Sequence, residues 1–117
     1  MISPKCNRCG NELPDWQANV MVDDQKYMFN NIVDRLEIVC KPCTKAMDNH
    51  GNNRTLHNLW ELTWFRDSFL RCLAAMLHDH QAGSKTRWED KAREDFFNLA
   101  ALRFPELTKD PFAIPSD

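Results

Sequence analysis

The sequence predicts a small α+β fold, mostly α: a four-cysteine module built from a β-hairpin and a short helix, then a two-helix C-terminal unit and an extended tail. Three observations lead there. Cysteines recur in two pairs of identical spacing, Cys6-Asn-Arg-Cys9 and Cys40-Lys-Pro-Cys43. Nine of the twelve aromatic residues lie after residue 53, in stretches whose apolar side chains return every three or four positions. The last 13 residues hold three prolines, which forbid a continuous helix.

A thiolate pair two residues apart can hold one side of a tetrahedral cation, and a second pair completes the four-sulfur shell that zinc prefers. Cys6, Cys9, Cys40 and Cys43 are therefore the expected ligands of one structural Zn2+, the single cofactor implied. Two disulfides are the competing use of four cysteines. Against them, Met1-Ile-Ser-Pro-Lys5 has no apolar leader segment and the total of five cysteines is odd, so a reducing, cytoplasmic location is expected. A redox pair would follow a strand in a βαβ pattern, and none precedes Cys6. Cys72 sits in an apolar helical run and reads as a core residue.

The module is expected to span residues 1–53. Gly10 directly follows Cys9, where the chain leaving a metal knuckle turns through positive φ. Ala18–Val22 and Lys26–Phe29 read as short strands around Asp23-Asp24-Gln25, and Arg35–Val39 alternates into the second cysteine pair. Thr44–His50 suits a helix, with Gly51 at its C-terminal end. Knuckle, hairpin, then a second knuckle that opens a helix is the order of a treble clef. A zinc ribbon, with both knuckles on hairpins, is the alternative. The helix favours the treble clef, because its N-terminus stabilises thiolate charge.

Residues 54–104 are expected to form a helical hairpin packed on this module. From Arg54 to about Gln81, ahead of Gly83, the apolar residues Leu56, Leu59, Trp60, Thr63, Phe69, Leu70, Leu73, Met76 and Leu77 recur at helical spacing. Trp64, Phe65 and Cys72 widen that arc, while His57, Glu61 and Asp79 mark the polar side. A second helix, capped by Ser84 or Thr86 through a Thr86-Arg-Trp-Glu89 box, runs to Arg103 with Trp88, Ala92, Phe96 and Leu99 on one face and Phe97 and Phe104 on another. That helix and the metal module would cover most of the arc, and a partner protein or a second copy the rest. The tail, 105–117, carries Leu107, Phe112 and Ile114, as an arm docked on the helices or as a motif for a partner.

Leu36-Glu-Ile-Val-Cys-Lys-Pro-Cys-Thr-Lys45, with Cys6-x-x-Cys9-Gly10 upstream, resembles the zinc-bearing HNH endonucleases, in which a four-cysteine zinc site braces a ββα-metal nuclease site. The resemblance implies a catalytic histidine in the stretch Val22-Asp23-Asp24, an asparagine at Asn30 or Asn31, and a metal-binding histidine at Thr44. Both imidazoles are absent. Phosphodiester hydrolysis needs a general base and a bound metal, so the resemblance implies the scaffold without its chemistry.

The charge balance narrows function further. The net charge is −2, and acids slightly outnumber bases in both halves, six Lys/Arg against seven Asp/Glu up to residue 53 and nine against ten after it. A general nucleic-acid footprint is missing. No apolar run is long enough to span a membrane. His78 and His80 point apart on a helix, and neither they nor His50 and His57 belong to a Ser-His-Asp order or a paired-carboxylate motif. The expectation is a non-enzymatic, zinc-stabilised regulator or inhibitor that binds a protein partner. A nucleic-acid regulator using Lys5, Arg8, Lys26, Arg35, Lys41 and Lys45 is the alternative, and an HNH-like nuclease using Asp23 and Asn31 the second.

Overall fold

The computed structural model describes residues 3–49, 55–79 and 86–108. In chain order the elements are β1 (Ala18–Asp23), α1 (Asp24–Asn30), β2 (Ile32–Val33), β3 (Glu37–Cys40), α2 (Lys41–Asn49), β4 (Leu56–Glu61), α3 (Thr63–Asp67), α4 (Phe69–Asp79), β5 (Arg87–Trp88) and α5 (Asp90–Arg103), then a 3-10 turn, Pro105–Thr108. Helices make up about half of the described chain, so the fold is α+β.

Ala18-Asn-Val-Met-Val is nearly continuously apolar, the pattern of a strand covered on both faces. β1 is that strand. It lies at the centre of a three-stranded antiparallel sheet, order β3-β1-β4. Because successive side chains alternate, Ala18, Val20 and Val22 enter the main core with Leu36, Ile38, Phe65, Trp88 and Phe96. Met21 turns to the other side. There it meets Val39 and Leu56 in a smaller cluster lined by Cys43 and Met47 of α2. The sheet is thus a middle layer, with α2 on one face and the aromatic helices on the other.

Phe96 of α5 centres the aromatic side. Its ring lies 5.1 Å from Phe65, 5.8 Å from Phe69, and 6.2 Å from both Trp60 and Trp88. Offset or edge-on pairs at these separations each add about 0.5–1.5 kcal/mol beyond the area they bury. A two-stranded parallel pairing of β2 with β5 seats Trp88 in this cluster.

The structure corrects several expectations. Lys26–Phe29 is not a strand but part of α1. Asp23 caps that helix, its carboxylate accepting from the Lys26 amide at 2.9 Å, and Asn31 ends it in the left-handed region at φ 56°. The single helix from Arg54 to about Gln81 is not formed either. Its first part is β4, hydrogen-bonded to β1 across the expected boundary at residue 53, and Ser68 separates α3 from α4.

The reason is a bulge. Met21 pairs with Asn58 but Val20 with Trp60, so Leu59 is an extra residue in β4. The bulge sends Leu56 to the α2 side and Trp60 to the main core. A bulged strand that feeds both faces thereby mimics the three-and-four spacing of a helix.

The final helix begins later than its capping box implied. Arg87 and Trp88 are committed to β5, and Glu89 occupies the cap position without a side-chain cap bond. Its buried face, Ala92, Phe96 and Leu99, is the one expected. In the tail, Pro105–Thr108 forms the 3-10 turn. The docked arm from 109 onward, Gly51, Gly83, His50 and His80 lie outside the described residues.

Truncating the central ring tests this core. Phe96→Ala should lower unfolding free energy by about 3–5 kcal/mol, read by urea denaturation, whereas Arg87→Ala on the exposed side of β5 should change it by no more than about 0.5 kcal/mol. Equal effects from the two would refute the placement of Phe96.

Candidate metal centre

Cys6 and Cys9 occupy the tip of a tight hairpin. Its base is the antiparallel bridge Lys5–Glu12, closed further by the Leu13 amide donating to the Pro4 carbonyl at 2.8 Å. The Gly10 amide donates to the Cys6 carbonyl at 3.0 Å, and Gly10 adopts φ 76°. Nothing lies within 4 Å of where a Cβ would stand, so the backbone angle, and not crowding, calls for glycine here. Asn7 then ties the hairpin to the sheet. Its amide donates to the Ile38 carbonyl at 2.8 Å and its side-chain oxygen accepts from the Ile38 amide at 2.6 Å, which occupies the outer edge of β3.

β3 runs without interruption into Cys40, and Cys43 falls in the first turn of α2. All four sulfurs lie within 4.8 Å of one another. The Cys6–Cys43 separation is 3.9 Å and the Cys9–Cys40 separation 3.7 Å. A disulfide needs about 2.05 Å, so these are free thiols. A tetrahedral ion with metal–sulfur bonds of about 2.3 Å, the length zinc makes, requires edges of about 3.8 Å. The cluster can therefore hold one metal ion in four-sulfur coordination. The second cysteine pair opens helix α2.

The electrostatics differ from one cysteine to the next. Burial pushes the Cys6 thiol up, but amides of Cys40, Cys9 and Arg8 donate to its sulfur at 3.4–3.5 Å and outweigh it, holding the group at about 6. Cys43 is pushed up to about 12 by the neighbouring Cys40 sulfur and by burial, and Cys40 is raised by burial. Cys6 is thus the most readily ionised of the centre's three shifted thiols, while Cys40 and Cys43 would give up protons to a metal. Cys72 is apart from it, buried in the main core, with burial raising its thiol to about 11.

A polar chain behind the centre was not anticipated from sequence. Lys41 donates to Asn19 at 2.7 Å and to Glu61 at 2.5 Å. The Asn19 amide donates to the Thr44 hydroxyl at 3.0 Å, and that hydroxyl donates to the Cys40 carbonyl at 3.0 Å. Asn19 and Thr44 are both buried. The chain couples β4, β1 and α2 at the residue that enters the metal shell. Its one sequence signal was a lone asparagine inside the apolar run of β1.

The remaining expected residues fall as follows. Thr44, where a nuclease would carry an imidazole, is committed to this network. Asp23 caps α1, and Asp24 faces His57 at 3.5 Å, with Tyr27 stacked on that imidazole. Asn30 and Asn31 end α1. Four of the six basic residues expected to form a nucleic-acid face are ion-paired: Arg8 and Arg35 with Glu37, Lys26 with Asp34, and Lys41 with Glu61. No family model, curated protein or solved structure matches the chain. The HNH resemblance accordingly stands on its quoted residues alone. No helix among the described residues is long and apolar enough to cross a membrane.

Two measurements bear on the centre. Because Cys40 and Cys43 must each lose a proton to bind, apparent metal affinity should rise by at least about 100-fold per pH unit near neutrality. Competition against a chelator at pH 7 and pH 8 reads this slope, and a dependence below one proton would contradict coordination by the second pair. Asn19→Ala strips a buried partner from Thr44 and Lys41 and should cost about 1–3 kcal/mol. A neutral result in thermal unfolding would remove the network from the account of stability.

Proposed function

We propose that this chain is a zinc-stabilised, treble-clef-type interaction protein that works by binding a protein partner as a regulator or inhibitor. The order of knuckle, β1–β3 pair and ligand-bearing α2 supports the treble clef, with α1 and β2 as an insertion in its hairpin. The sulfur spacing supports zinc. The four cysteines act as scaffold. A metal held among them would tie the N-terminal hairpin to β3 and α2.

One observation carries the binding role. A groove of about 610 Å³ runs between the start of α4 and the chain beyond α5, lined by Phe69, Leu70, Arg71, Phe104, Glu106 and Leu107. Leu70 is 76% exposed and Leu107 46%. Large apolar side chains gathered at a groove with a charged rim are the usual make-up of a protein-docking surface. The nucleic-acid reading draws less support, since its cations are largely neutralised in place.

Native mass spectrometry should find one zinc per chain and none stoichiometrically bound in Cys40→Ser. Affinity capture with the zinc-loaded chain should retain a protein that Leu107→Glu loses while keeping its zinc and its thermal midpoint. Retention of the same protein by Leu107→Glu would displace the groove from this reading. Salt-sensitive nucleic-acid binding that weakens on Lys41→Ala and Lys45→Ala would replace the reading altogether.

A further inference from the structure

Helix α4 buries Cys72 and Met76 and leaves its other side bare. At 100° per residue Leu70, Ala74 and Leu77 fall in one narrow stripe, and Leu77 is 51% exposed. The stripe begins in the groove described above, at Leu70.

Two features of this surface are complementary to themselves. The first is its rim. Arg66 and Asp67 pair with each other at 2.9 Å. Arg71 and Glu106, from opposite walls, have neither an ion pair nor a side-chain hydrogen bond among the described residues. A groove carrying one uncommitted cation and one uncommitted anion meets its own requirement under a two-fold rotation, Arg71 of each copy facing Glu106 of the other. The second is the stripe, whose small residue, Ala74, lies near its middle. Two α4 helices crossing antiparallel there would set Leu70 of one against Leu77 of the other. A foreign ligand would require neither symmetry.

We propose that the occupant of this groove is a second copy of this chain, joined isologously through α4 and the Arg71–Glu106 rim. The proposal rests on the reading of the groove as a protein-docking surface and names its partner.

Sedimentation equilibrium of the zinc-loaded chain should return twice the 13.7 kDa chain mass. Leu70→Glu should weaken the dimer by about tenfold or more at unchanged zinc content. Arg71→Glu and Glu106→Arg should each weaken it alone, because each homodimer then opposes like charges. Mixing the two variants should restore association, since in the mixed dimer both contacts become Glu facing Arg. An intramolecular pair could not produce that rescue. A 13.7 kDa monomer at about 100 µM, or a dimer for which mixing recovers nothing, would overturn the proposal. Either result leaves the docking reading to stand or fall on groove-dependent capture of a different protein.

Discussion

The burial of β1 on both faces and along both edges is the constraint from which the rest of the structure follows. Ala18, Val20, Met21 and Val22 are essentially inaccessible to water. A strand so placed must pair on two sides, since an unpaired buried amide or carbonyl costs about 1–3 kcal/mol. β3 on one edge delivers Cys40 and opens α2. β4 on the other brings Trp60 to the ring cluster around Phe96. The metal module and the aromatic half are therefore joined through one sheet.

This arrangement gives the sulfur cluster a particular mechanical position. Cys6 and Cys40 belong to the same buried cluster as Phe96, so the ligand shell is continuous with the core and not a detached bead. The Asn7 staple on Ile38 and the Lys41–Asn19–Thr44 chain tie the two knuckles to the sheet. Cys40 and Cys43 are both held above the ordinary thiol range, so a metal bound there would displace their protons.

The four-cysteine cluster was legible because it depends on local spacing, and the cysteines meet as that spacing implied, within reach of one metal ion. β1, β3, α2 and the buried face of α5 were legible for a related reason. Each is signalled within its own stretch of chain, β1 by its apolar run and α5 by Ala92, Phe96 and Leu99 on one face. Where periodicity failed, a non-local pairing decided the outcome. The bulge at Leu59 gave β4 a helical appearance, and its strand identity depends on partners about 40 residues earlier. α1 misled in the opposite direction, since none of its residues is buried and only its caps, Asp23 and Asn31, disclose it. The Thr86–Glu89 box was a true local signal overruled by the pairing of Arg87 and Trp88 with Ile32 and Val33.

The same core rigidity bears on the groove. Phe69 packs 5.0 Å from Phe104 at its wall and 5.8 Å from Phe96 inside, so the groove is lined by half-buried rings backed by the core ring Phe96. A wall held in this way loses little conformational freedom when it is covered, and lost freedom is a principal cost of association. The mobile cost falls on Leu70, Arg71 and Leu107, the exposed side chains at the rim. A modest apolar surface on such a support can bind where the same residues on a loose helix would not. The cysteine cluster and the groove are thus linked without sharing contacts: the cysteines adjoin the sheet, the sheet packs on the rings, and the rings line the groove.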